Sequence, residues 1–211
     1  MVALVVTACG SHGQPSATLS WELGDAPPGA TPEIRTAGWL RKNQAVLAEV
    51  ERKRHISRLV IAGVIAYEAL DHVHLEAVRP IARYSGPGKV HYREYHISEG
   101  LPVSKEVELL GYLPNRTQEQ RRAILATDRG AIEYIGAIMS AYNAAAESNG
   151  VFIRCQPDLL ATFYSAWTLR ESTAFFKKHP KRMRPNLVGT WIDAHRRYLE
   201  DAAGKTGDVD C

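Results

Sequence analysis

Ser57-Arg58-Leu59-Val60-Ile61-Ala62-Gly63-Val64-Ile65-Ala66-Tyr67-Glu68-Ala69-Leu70 decides how the rest of the chain is read. Ser57 carries a hydroxyl able to accept one of the amide protons left unpaired in a helix's first turn, so it is the expected N-cap. From Leu59 to Leu70 the side chains are apolar around nearly the whole helical wheel, the pattern of a helix buried on most faces. One charged side chain interrupts the run near its C-terminal end: Glu68. An ionised carboxylate is costly in apolar surroundings unless paired, and burial drives its pKa upward. A carboxylic acid still protonated near neutral pH can give its proton to a leaving oxygen, which makes Glu68 the candidate general acid. The plainer alternative is a glutamate that turns to solvent or pairs with a neighbouring arginine.

Before this helix, residues 10–35 are rich in Gly, Pro, Ser, Thr and Ala, with Pro27-Pro28-Gly29 and Thr31-Pro32 as breakers. They read as a flexible tail or linker onto which Trp21 and Leu23 can fold back. A first helix is expected over 36–53, where Leu40, Val46, Leu47 and Val50 form a partial stripe. After Glu68 the chain turns polar, and Arg83-Tyr84-Ser85-Gly86-Pro87-Gly88-Lys89-Val90-His91-Tyr92 demands an irregular backbone with little side-chain bulk above it. Such a loop lets a ligand approach the main chain; the alternative is an ordinary turn, with Val90 and Tyr92 opening a short strand.

Residues 98–127 read as short helices and loops. A long amphipathic helix starts near Asp128, carries Ile132, Ile135, Met139, Tyr142 and Ala146 on one face, and stops at Asn149-Gly150. Pro157 suits a first helical turn, followed by Leu159, Leu160, Phe163 and Trp167. The last helix is expected over 187–203, with Gly204 as its stop. Strand signals are few and no repeat is visible, so the fold class is mainly α.

The chain has 211 residues and a net charge of +3, enough for one domain with a sizeable core. The expected organisation is an N-terminal segment over 1–35, a helical domain over 36–204 and a tail over 205–211. The mild positive charge suits an anionic polymer without selecting one. No apolar run reaches the roughly 18 to 20 residues that cross a bilayer. Val6-Thr7-Ala8-Cys9 resembles a bacterial lipoprotein processing site, yet the basic segment and longer apolar core of an export signal do not precede it. The three cysteines, Cys9, Cys155 and Cys211, lack metal-type spacing and leave open a Cys155–Cys211 disulfide or a lipidated Cys9.

A glutamate closing a buried helix, then a Ser-Gly-x-Gly-x-Val loop, then Ala141-Tyr142-Asn143-Ala144 in a long helix: this order resembles the lysozyme-like superfamily, in particular goose-type lysozymes and soluble lytic transglycosylases. The resemblance covers residues 55–146. It implies a lysozyme-like helical domain with room for a short β-hairpin and with extra C-terminal helices. It implies that Glu68 is the catalytic acid and that Ser85, Gly86, Gly88 and Val90 shape the substrate cleft. It also implies that Tyr142 and Asn143 lie near the glutamate; Tyr67 and His91 complete the expected substrate-binding set. The chain departs from the family pattern at Ala69, where serine is usual, at Lys89-Val90-His91, which replaces Leu-Met-Gln, and at Ala145, which replaces glycine. Tyr142 also reads as a plain core residue, because it belongs to the apolar stripe of its helix.

The function implied is cleavage of the β-1,4 glycan backbone of peptidoglycan, by a muramidase or a lytic transglycosylase, without metal or organic cofactor. A hydrolase needs a second carboxylate across the bond, for which Glu76, Glu94 and Glu99 are candidates, whereas the lytic route uses groups of the substrate itself. The expected partners are peptidoglycan strands, with an inhibitor or immunity protein as the other class the resemblance admits, and the expected location is the cell envelope, the periplasm or outside the cell. Nucleic acid is not expected, since the basic 177–184 stretch lacks aromatic interleaving. Two rivals stand beside this reading. His72, His74, His91 and His96 offer imidazoles near Glu68, although no helical His-Glu-x-x-His pattern occurs. A non-catalytic helical module would instead bind a glycan or protein through Trp167, Trp191 and the basic stretch.

Overall fold

The computed structural model describes residues 29–71, 97–98, 101–179 and 183–207. Thr31 opens the first helix, α1 (Pro32–Lys42): its side chain accepts the Ile34 N–H, Pro32 occupies the first turn, and Arg41 and Lys42 sit at the negative end of the helix dipole. The helix therefore begins four residues earlier than expected, because Thr31-Pro32 acts as a helix start and not as part of a linker. It also ends sooner. At Asn43 (φ −100°, ψ 9°) the backbone leaves helical geometry, and the Asn43 Nδ2 donates to the Trp39 carbonyl at 3.0 Å. The stretch read as one helix is thus two, α1 and α2 (Gln44–Arg54).

His55 then adopts a left-handed conformation (φ 53°) that closes α2. The central helix α3 (Arg58–Asp71) follows. Ser57 does receive an amide proton, from Leu59 at 3.2 Å. Glu51, itself buried, accepts the Arg58 N–H at 2.9 Å and pairs with its guanidinium at 2.6 Å. Leu59, Val60, Ile61, Ala62, Val64, Ile65 and Ala66 are all buried. At Gly63 a Cβ would lie 2.6 Å from the Ile192 side chain, so the missing methyl group lets another helix settle directly on α3.

A two-residue antiparallel ladder pairs β1 (Ile97–Ser98) with β2 (Leu101–Pro102), with Ile97 opposite Pro102 and Ser98 opposite Leu101. α4 (Val103–Leu109) follows at once, and α5 (Gln118–Leu125) starts with a reciprocal Thr117–Gln120 capping box. α6 (Asp128–Glu147) is capped by Thr127 and is buried along most of its length, from Gly130 to Ala146. Glu108 of α4 ties these helices together. Its solvent-excluded carboxylate takes hydrogen bonds from Arg121 Nη1 (3.1 Å), the Arg116 N–H (3.0 Å) and the Tyr134 hydroxyl of α6 (2.6 Å).

α7 (Pro157–Ala166) has proline in its first turn, and α8 (Leu169–Lys178) begins with a second capping box, Thr168 with Glu171. Phe163 of α7 meets Phe176 of α8 with ring centroids 4.5 Å apart. Asn186 caps the following helix, and the segment read as one last helix is again two: α9 (Leu187–Ala194) and α10 (Arg196–Ala203), separated at His195. Gly204 (φ +85°) ends it as expected. Gly189 lets α9 cross α7 closely, since a Cβ there would stand 2.2 Å from the Asp158 carbonyl.

Among the described residues the fold is mainly α, and α3 runs through its middle, packed against α1, α2, α6, α7, α9 and α10. Among these residues no helix is long and apolar enough to cross a membrane. Cys155 is disulfide-bonded; Cys9 and Cys211 both lie outside the described residues.

Candidate functional site

The last turn of α3 is where apolar burial gives way to polar groups. Tyr67, Glu68, Ala69 and Leu70 are each half-buried, directly after the fully buried run that ends at Ala66. The Oε2 oxygen of Glu68 is out of contact with solvent. Glu68 thus combines a carboxyl group, an apolar helix behind it and partial access from outside.

Tyr67 and Leu70, one turn apart on α3, face the corner between α9 and α10. Tyr67 meets Trp191 edge to face, with centroids 5.8 Å apart and ring planes at 73°. Trp191 in turn stacks on His195, at 4.0 Å and 15°. His195 Nδ1 lies 2.8 Å from the Trp191 carbonyl oxygen. A carbonyl only accepts, so Nδ1 is the donor in this contact.

A pocket of about 180 Å³ opens here, lined by Glu33, Leu70, Trp191, His195 and Tyr198. The Tyr198 hydroxyl donates to the Glu33 carbonyl at 2.9 Å and joins α10 to the start of α1. Burial, reinforced by the negative charge of Glu33, pushes the Tyr198 phenol up to about 12. The exposed Glu33 carboxyl is held below its ordinary value by a hydrogen bond from the Thr31 hydroxyl. Glu68 is not among the residues that line this pocket.

The other expected site residues fall in two groups. Ser85, Gly86, Gly88, Val90 and His91 lie outside the described residues, as do Glu76, Glu94, Glu99, His72, His74 and His96. Tyr142 and Asn143 lie on α6, and both are buried, at 0% and 4% exposure. The Tyr142 hydroxyl donates to the main-chain carbonyl of Trp167, fastening α6 to the C-terminal end of α7. Asn143 Nδ2 donates to Glu147 Oε1 at 3.0 Å, and the same oxygen pairs with Arg154 at 2.9 Å. Neither side chain presents an open surface to solvent. Among the described residues no three His, Cys, Asp or Glu side chains group to hold a metal ion.

The pocket brings in residues that sequence reading passed over. Glu33 falls in a stretch that reads as a linker, and His195 and Tyr198 read as parts of one continuous helix. The four-residue spacing of Trp191 and His195 is the one available signal, because ring side chains so spaced on a helix lie over each other. Trp191, expected from the sequence in the binding surface of a non-catalytic module, is a half-buried wall of this pocket. Comparison with protein-family models, curated proteins and solved structures finds no match to this chain.

Proposed function

We propose that the chain is a peptidoglycan-cleaving glycosidase, a muramidase or lytic transglycosylase, in which Glu68 acts on the β-1,4 glycan backbone as general acid and base. The observation that supports the proposal is the setting of Glu68: a half-buried carboxyl in the last turn of a buried helix, with Oε2 shielded from solvent. Removing a carboxyl oxygen from water favours the neutral acid, the form that can protonate a glycosidic oxygen as positive charge builds on the sugar ring. Once the bond is broken, the carboxylate serves as base. In the hydrolytic route it activates water, with Glu76, Glu94 or Glu99 as the second carboxylate. In the lytic route it takes the proton from the sugar hydroxyl that closes the anhydro ring. The hydrolytic route consumes one water, and the lytic route needs only Glu68 and the substrate.

Such a substrate lies in the cell envelope or outside the cell. The disulfide at Cys155 supports an oxidising compartment of that kind, and the net charge of +3 suits an anionic wall polymer. An inhibitor or immunity protein is the second partner class consistent with an exported wall enzyme. One observation favours a non-catalytic, glycan-binding module instead: the aromatic pocket beside α3 is not lined by Glu68. The test is the clearing of a purified peptidoglycan suspension by the wild type and by Glu68→Gln, which keeps the shape and removes the acid. Wild-type clearing, reduced by at least about a hundred-fold in Glu68→Gln, is the expected result. Equal clearing by both removes Glu68 from the mechanism, and no clearing by either, with both folded, favours the binding module.

A further inference from the structure

We propose that the corner between α7 and α8, with the exposed Trp167 and the lysines at the end of α8, is a docking surface for an anionic lipid bilayer. The inference uses neither Glu68 nor the pocket beside α3, so it stands or falls apart from the reading above. Two observations carry it: where the aromatic side chains lie, and how charge is distributed along the chain.

The chain leaves α7 at Trp167 in an extended conformation (φ −130°, ψ 149°), and Thr168 then caps α8. The Trp167 carbonyl accepts from the hydroxyl of buried Tyr142 on α6, which ties this corner to the core. Trp167 nevertheless reaches solvent, at 36% exposure. It belongs to a row of rings that runs outward from the core. Phe163 is buried, and its ring centroid lies 6.5 Å from that of Trp167 and 5.9 Å from that of half-buried Phe175. Trp167 and Phe175 are 5.3 Å apart, and Phe175 is 5.4 Å from exposed His179. The indole is thereby held between its aromatic neighbours and the solvent. Tryptophan is a side chain that favours the boundary between water and hydrocarbon.

Lys177 and Lys178 close α8 and are both exposed. Lys178 follows Phe175 by three residues, on the same side of the helix. The two lysines open a stretch, 177–184, with five Lys or Arg and no Asp or Glu, while the whole chain has a net charge of only +3. Positive charge is concentrated here, and the rest of the chain is net negative. The one carboxylate of α8, Glu171, is engaged at the start of the helix, where it accepts from the Thr168 N–H and hydroxyl at 2.8 Å. Offsetting the helix dipole accounts for Lys177 and Lys178, but not for an exposed indole on the same corner. Apolar rings next to ammonium groups match a lipid surface: the ring enters the headgroup boundary and the lysines meet lipid phosphates. A nucleic acid would match the charge, but here rings and lysines come in successive blocks, not interleaved along a groove that tracks a backbone.

The test is co-sedimentation of the full-length protein, at low salt, with vesicles of phosphatidylcholine alone and of phosphatidylcholine mixed equally with phosphatidylglycerol. Binding to the anionic vesicles alone is expected. It should weaken about five-fold for each lysine lost in Lys177→Gln and Lys178→Gln, and at least about ten-fold in Trp167→Ala. Vesicles brominated on their acyl chains should quench the tryptophan fluorescence of the wild type, and that of Trp167→Phe much less. Thermal midpoints check that each variant is folded. If Trp167→Ala does not fold, the exposed double lysine variant and the quenching of Trp167→Phe decide the matter. No sedimentation with anionic vesicles, equal sedimentation with neutral ones, undiminished binding by the double lysine variant, or equal quenching in Trp167→Phe overturns the docking surface. Retention of a single-stranded DNA oligomer in place of vesicles, lost in the double lysine variant, overturns it in favour of a nucleic acid.

Discussion

The phenol of Tyr142 ends on the carbonyl of Trp167, and its ring is fully buried. Tyr142→Phe keeps the ring and leaves that carbonyl short of a donor, so it is expected to lower stability by about 1–3 kcal/mol. Urea unfolding measures this, and an unchanged midpoint would show that the bond contributes nothing. Tyr198 differs in kind, because what matters there is ionisation. Its phenol is raised from 10.0 to about 12, mainly by burial and then by Glu33. A folded value above the unfolded one means the contribution is intact below pH 10 and is lost as pH rises through about 12. Absorbance titration of the phenolates is expected to lose one late-ionising tyrosine in Tyr198→Phe, and stability above pH 10 to fall less steeply. At this scale Glu68 is easy to pick from the sequence, as the one charged residue in an apolar run. The Glu33–Tyr198 contact is not, because its partners are 165 positions apart in the chain.

Helix crossings provide the next test. Gly189→Ala would put a methyl group 2.2 Å from the Asp158 carbonyl where α9 crosses α7. It is expected to cost about 1–3 kcal/mol as the two helices separate. Gly38→Ala in α1 meets nothing within 4 Å and is expected to stabilise by about 0.5–1 kcal/mol through helix propensity and lower unfolded-state entropy. Denaturant midpoints of the two variants should therefore move in opposite directions, and movement of both in the same direction contradicts the crossing geometry. Element identity was legible wherever burial pattern and caps agreed. α3 shows its apolar wheel, and α6 shows a long stripe with a glycine (φ +72°) just past its end. The breaks at Asn43 and His195 were not legible, because the apolar stripe continues across each of them. Asn43 is fixed by the Trp39 carbonyl and by contact with Asp128 Oδ2 at 3.5 Å, and a side-chain bond to a residue 85 positions away leaves no periodic trace.

For the whole molecule, composition and scarce strand signals sufficed for a mainly α fold. The arrangement of helices around α3 depended on close approaches, such as Ile192 over Gly63, that no window of sequence encodes. The candidate site was half legible for the same reason. Glu68 stands out within the central helix, whereas the neighbouring pocket, which Glu68 does not line, draws its aromatic wall from two helices at the far end of the chain, beside Glu33 at the start of α1. The central claim is that Glu68 supplies the proton that breaks the glycan. Mass spectrometry of the soluble products from purified peptidoglycan, digested with the wild type and with Glu68→Gln, tests it most directly. Muropeptides with either anhydro ends or new reducing ends are expected from the wild type, and none from Glu68→Gln. The same products in the same yield from both proteins would contradict it.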